Sequence, residues 1–371
     1  GDNIINSSES TTATISGTGV NGLTVNLVVT DSLGATISGS ALVSSGIWST
    51  DLDLSSLEPG TLTITASETS VLGDTSTTSH TVELDISGPT AFINEPISVD
   101  GLVSSNESTN VVISGTGEPG STVDVTITDG TNTIPITNII VLSDGTWSTN
   151  VDISTLNDGS ISVTAIETDI AGNPGTPTTV FTTLDTIAPV ININDPLEGD
   201  NIINSSEQSD VTISGTGEVG EPVHITISDG SLTLTGITTV GSDGTWSLDF
   251  NTDSMDDGPV VVTVMTIDDA GNRNTNTTTL TIDTVSPPVS INTPISGDNI
   301  VNFIESTNVI INGLSENTAL IDLEIIDHLG NVINLNDLSV SGGTWTSTID
   351  ISGLSDGIII VRATATDISG N

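Results

Sequence analysis

Four tryptophans stand at Trp48, Trp147, Trp246 and Trp345, each 99 residues after the one before. Each sits in a related phrase, Gly46-Ile-Trp48, Gly145-Thr-Trp147, Gly244-Thr-Trp246 and Gly343-Thr-Trp345. The chain is one unit written four times, and a fixed internal period constrains architecture before any local pattern does. A period near 100 residues is too long for a helical solenoid repeat and suits an independent β-sandwich. The expected copies are 1–87, 88–187, 188–285 and 286–371.

Within a copy the pattern is that of short strands. In the second copy, apolar or alternating stretches run over 91–94, 111–114, 123–128, 134–142, 147–153, 161–166 and 180–184. They are rich in Val, Ile and Thr, and Asp129-Gly130, Asp144-Gly145 and Asp158-Gly159 punctuate them as turns. No helical period competes. The expected fold is all-β, a tandem array of four immunoglobulin-like, seven-stranded antiparallel sandwiches. The first copy opens at a phrase matching Gly199-Asp200-Asn201, and the last stops at one matching Ala171-Gly172-Asn173. The first is therefore expected to lack its opening strand and the last its closing strand. Linkers at 85–89, 185–189 and 283–287 each end in proline, which stiffens a joint. Each tryptophan, placed identically beside alternating apolar residues, reads as a core anchor rather than a sugar platform.

Charge narrows the function. The chain has 48 acidic residues against 2 basic ones, a net charge of −46, with no cysteine. Phosphate recognition needs Lys and Arg, so nucleic acid is excluded as a partner, and an anionic membrane surface is disfavoured. No apolar run approaches the roughly 18 residues that cross a bilayer. His80, His224 and His328 occupy unrelated places in the repeats, so neither a nucleophilic triad nor a zinc site can be assembled, and no enzyme is expected. Ser-Gly-Thr-Gly at 114–117 and 214–217 leads from strand to strand without a helix or Lys, unlike a phosphate loop.

Oxygen ligands clustered without nitrogen or sulfur suit Ca2+. Immunoglobulin topology gathers the second-to-third, fourth-to-fifth and sixth-to-seventh connections at the end where the preceding linker enters. For the second copy this groups Asp85, Glu118, Asp144, Asp169 and Asn173. For the third it groups Asp185, Glu218, Asp243, Asp268, Asp269 and Asn272. For the fourth it groups Asp283, Glu316, Asp367 and Asn371, with Gly342 in place of the turn Asp. The expectation is a Ca2+ site at each joint. The first copy has Val20 and Ser70 in place of the loop acids. The opposite end carries an Asp-x6-Glu pair in every copy (Asp2 and Glu9, Asp100 and Glu107, Asp200 and Glu207, Asp298 and Glu305) and a turn Asp (Asp31, Asp129, Asp229, Asp327). A second Ca2+ site could form there. The plainer alternative is that each Asp caps its own turn and each Glu is solvated.

The phrases Gly199-Asp-Asn-Ile-Ile-Asn-Ser-Ser-Glu207, Ile213-Ser-Gly-Thr-Gly217, Asp243-Gly-Thr-Trp-Ser247, Asp169-Ile-Ala-Gly-Asn173 and Asp185-Thr-Ile-Ala-Pro189 resemble the bacterial immunoglobulin-like repeats of giant type I secreted, RTX-type adhesins. That resemblance covers the whole chain. It implies export to the bacterial cell surface, biofilm formation or attachment, and Ca2+ rigidifying the junctions between neighbouring repeats. It further implies that a host glycan or surface receptor is met by domains outside this chain. The expected role is an extender that projects a distal adhesive domain. The alternatives are that one repeat is itself a glycan- or protein-binding module, or that the array is a filament subunit.

Overall fold

The computed structural model describes residues 2–371. The chain divides into two compact units, the first ending at Ile187 and the second running Ala188–Asn371. Among the described residues the strands form eight sheets that follow one another along the chain.

The second copy shows the plan. One sheet pairs Thr146–Val151 with Val111–Thr116, and that strand with Phe92–Ile93. The facing sheet orders Thr133–Ile140, Thr122–Thr128, Gly159–Thr168 and Thr178–Leu184, all antiparallel. An eighth strand of two residues, Leu102–Val103, adds to this sheet in parallel with Thr183 and Leu184. It is absent from the strands expected for this copy, because two residues are too short to show alternation. The same short parallel strand recurs at Ile4–Ile5 and Ile202–Ile203.

Alternation fixes which side chains face inward. In Thr122–Thr128 the buried positions are Val123, Val125 and Ile127, which pack with Ile161, Val163 and Ala165 of the next strand. Ile113 and Trp147 close the core from the opposite sheet. All four tryptophans are buried, as the repeat phrase led us to expect. Trp48, Trp147 and Trp246 also donate Nε1–H to the carbonyls of Thr18, Thr116 and Thr216, each at 3.2 Å. The invariant glycine opposite each indole is a packing requirement. A Cβ at Gly115 would lie 2.5 Å from Trp147 Cζ2 and 1.8 Å from the Phe92 carbonyl oxygen.

Among the described residues of the first copy no strand pairs on the outer edge of Ala13–Thr18, where the later copies place their opening strands. A groove of about 360 Å3, floored by Gly17, Val25, Trp48 and Ile64, lies there instead. In the fourth copy Ile359–Thr366 pairs, among the described residues, with Leu320–Asp327 alone. Among the described residues no helix is long and apolar enough to cross a membrane.

Candidate metal-binding and junction site

The sixth-to-seventh connection of the second copy is an Asp-x3-Asn loop. Asp169 Oδ1 accepts the Asn173 amide N–H at 2.7 Å, and its Oδ2 accepts Asn173 Nδ2 at 2.9 Å. The loop closes on itself, and Asn173 is only 1% exposed. Its side chain then reaches outward. Nδ2 also donates to the Asp85 carbonyl of the incoming linker at 2.8 Å, and Oδ1 accepts the Ser7 N–H of the first copy at 2.7 Å. Asn6 Nδ2 adds a bond to the Ala171 carbonyl at 3.0 Å. One buried amide thus ties its own loop, the linker and the preceding repeat.

The second unit repeats the arrangement between the third and fourth copies. Asn371 Nδ2 donates to Asp367 Oδ2 at 3.1 Å and to the Asp283 carbonyl at 2.7 Å, while Ser205 N–H donates to Asn371 Oδ1 at 2.8 Å. Here Ser369 Oγ also donates to Asp283 Oδ2 at 2.6 Å. In the third copy Asn272 closes the same loop on Asp268, at 2.8 Å through its N–H and 3.0 Å through Nδ2. Asp185, at the end of the first unit, donates its N–H to the Val103 carbonyl and accepts the Ile187 N–H.

The expected acidic residues divide into those that face the linker and those occupied locally. Asp144 and Asp243 each cap their own turn, accepting the N–H and the hydroxyl of Thr146 and Thr245. The threonine hydroxyls, then the N–H groups, hold both carboxyls below the usual aspartate range. Glu118, Glu218 and Glu316 project from exposed loops, and Asp269 is exposed. Asp85 accepts only Ser87, at 3.3 Å from N and 3.5 Å from Oγ. Among the described residues no three Asp, Glu, His or Cys side chains stand close enough to share one ion.

Two carboxylates were not anticipated from the sequence. Glu167, next to the loop, is fully buried. Its Oε1 accepts the Glu118 N–H at 2.5 Å and, more closely still, the Ser121 hydroxyl. Its Oε2 is buried without any partner. The carboxylate lies against Gly117, where a Cβ would sit 2.5 Å from Oε1. Burying a charged oxygen unpaired is costly, and an ion or water is the usual remedy. The third copy has Thr266 at this place, its hydroxyl buried and unpartnered, and carries Glu221 where the second copy has Ser121. Burial, then the nearby Asp269, Glu218 and Asp268, push the Glu221 carboxyl up. Both copies therefore hold a carboxylate that a cation would relieve, and these oxygen donors fit a hard divalent ion. The only hint in sequence was Glu167-Thr-Asp169, whose alternation hid the Glu among strand residues.

The opposite end uses its acids as caps. Asp129 Oδ1 accepts the N–H groups of Thr131 and Asn132, and its Oδ2 accepts Asn157 N and Nδ2, pinning two turns together. Asp31, Asp229 and Asp327 make the corresponding bridges to Glu58, Asp256 and Ser355. The bridging N–H groups are the leading cause of the depressed carboxyls at Asp31, Asp129 and Asp327; at Asp229 the Leu232 N–H leads. In the Asp-x6-Glu pairs, Asp2, Asp100, Asp200 and Asp298 each accept the N–H two residues on. Glu9, Glu107, Glu207 and Glu305 each accept the N–H three residues back. Protein donors thus occupy oxygens of all twelve.

Comparison with known proteins agrees with the fold. Residues 98–184 match a bacterial Ig domain family, and residues 196–284 a bacterial Ig-like domain family. These two stretches, in the second and third copies, are thus similar to bacterial Ig-type domains. No curated protein matches the chain. Among solved structures, a tetra-tandem repeat from the extending region of a large adhesion protein is 28% identical, covering 98% of this chain and 93% of that one, with a TM-score of 0.41. A Ca2+-stabilised adhesin with which an Antarctic bacterium reaches out and binds ice is 27% identical over 99% of this chain and 93% of its own, at TM-score 0.44. A 1.5-MDa bacterial ice-binding adhesin is 28% identical over 77% and 95%, at TM-score 0.40. At such TM-scores the fold rests on the strand pairing above, not on these likenesses.

Proposed function

We propose that the chain is a non-catalytic extender of a bacterial cell-surface adhesin. In this reading four modules, 1–87, 88–187, 188–285 and 286–371, hold a distal adhesive domain away from the cell during attachment or biofilm formation. Export by a type I route and a receptor met by domains outside this chain belong to the same proposal. Support comes from the bacterial Ig-type matches of the second and third copies and from the joint built around Asn173 and again around Asn371.

The observation that carries the mechanical part is the single buried amide bonding linker, loop and preceding repeat at once. Two hydrogen bonds across a five-residue, proline-ended linker restrict hinge motion without a large apolar interface. Ca2+ is the second element. Glu167, whose Oε2 is buried without a partner, would be the carboxylate that meets the ion at the linker-facing end of the second copy. Glu221, among the charges of Asp269, Glu218 and Asp268, would do so in the third. A bound divalent ion would neutralise carboxylates that otherwise repel. Sites of this kind in extracellular modules bind at roughly 10⁻⁴ to 10⁻³ M.

Small-angle scattering of the chain in millimolar Ca2+ and after chelation tests this. A narrow, extended distance distribution that broadens on chelation is expected. Coincident profiles would leave the acids as solvated charge and remove calcium from the account.

A further inference from the structure

The four copies do not carry the same linker-facing end, and the differences are chemical. The second copy pairs a hydroxyl at Ser121 with a carboxylate at Glu167, and the third reverses them as Glu221 and Thr266. Each keeps one carboxylate and one hydroxyl under the same loop. The fourth has Ala319 and Ala365 at these two places, so it has neither. It has gained a hydroxyl elsewhere. Ser369, where the second and third copies have Ala171 and Ala270, donates to the linker carboxylate Asp283 Oδ2 at 2.6 Å. A neutral protein donor sits on the linker acid of the fourth copy. The linker acid of the second copy, Asp85, has only the long contacts to Ser87. The first copy keeps Glu68, but its Oε1 accepts the Val20 N–H at 2.9 Å, and Val20 and Ser70 replace the neighbouring acids.

We propose that only the linker-facing ends of the second and third copies take a divalent cation, while the joint into the fourth copy is closed without metal by Ser369 and Asn371. This rests on the calcium reading above and deepens it. The buried unpartnered Glu167 Oε2 marks the second copy, and the buried unpartnered Thr266 hydroxyl marks the third. The exchange of hydroxyl and carboxylate, from Ser121 and Glu167 to Glu221 and Thr266, amounts to one site written in two ways. Joints of one stalk would then differ in their response to calcium, with the last staying closed when calcium falls.

Calcium bound per chain, measured by equilibrium dialysis of the full chain at saturating Ca2+ and about 0.15 M salt, tests this, with circular dichroism confirming intact sheets. Salt at that level screens diffuse binding beyond about 8 Å. Glu167→Thr is expected to lose one ion, and Thr is already accommodated at this place in the third copy. Adding Ser121→Glu to it, which copies the third repeat into the second, is expected to restore that ion. Glu221→Gln is expected to lose one ion and Glu316→Gln none. Loss of an ion in Glu316→Gln, or no restoration in the double variant, would overturn the inequivalence while calcium binding stands. A wild-type chain that binds no calcium would instead sink the parent reading and this one with it.

Discussion

Replacing Asn173 with alanine isolates the joint between the first two copies. The substitution removes two bonds that cross it, Asn173 Nδ2 to the Asp85 carbonyl and Ser7 N–H to Asn173 Oδ1, at 2.8 and 2.7 Å. A net hydrogen bond contributes about 1 kcal/mol. Losing both should weaken docking by about 2 kcal/mol, or about 30-fold in the docked-to-undocked ratio, since 1.4 kcal/mol is about tenfold. The Asn6 bond to Ala171 remains, so the joint should loosen rather than vanish. The chain has no cysteine, so exposed positions Thr77 and Thr155, one in each copy, can be changed to cysteine and spin-labelled cleanly. Pulsed electron resonance should give a narrow distance distribution in the parent and a broad one in Asn173→Ala. Both proteins should keep the same far-ultraviolet spectrum. An unchanged distribution would refute the view that this amide holds the joint.

Trp147→Ala should destabilise the second copy by about 3–5 kcal/mol, the range for truncating a buried aromatic, and give an early separate transition in a denaturant titration of the whole chain. A single unshifted transition would contradict its place as that copy's core anchor. Acid should act through the bridging aspartates. Their folded carboxyls are depressed, so their contribution is complete above the ordinary value of about 3.9 and is lost as pH falls through the lower folded values. Asp129→Asn should therefore melt below the parent at neutral pH, and the gap in melting temperature should narrow progressively below pH about 4. A gap independent of pH would mean that the charge of Asp129 is not what joins the two turns.

Much of the fold was legible because repetition and alternation are long-range averages. Val123, Val125 and Ile127 declare a buried face on their own, and four equivalent tryptophans declare a core. Leu102–Val103 was not legible, since two residues carry no period and their pairing depends on Leu184 some eighty residues away. At the joint, the pattern picks out Asp169 and Asn173 as a unit, and the structure shows them bonded to each other. The pattern could not show that Asn173 spends its amide on the linker carbonyl, because backbone acceptors have no sequence signature. Glu167 was hidden for a different reason. A charged residue at an inward position reads as a strand's solvent face until the register is known. Asp129 and its equivalents show the reverse, since their regular recurrence in all four copies comes with turn-bridging bonds.

The central claim is most directly tested at Glu167. A crystal structure of the chain grown with calcium, with anomalous data, is expected to show an ion about 2.3–2.6 Å from Glu167 Oε2, the usual range for calcium and oxygen. A Glu167 Oε2 that stays without an ion in saturating calcium, beside a joint as well ordered as before, would contradict it.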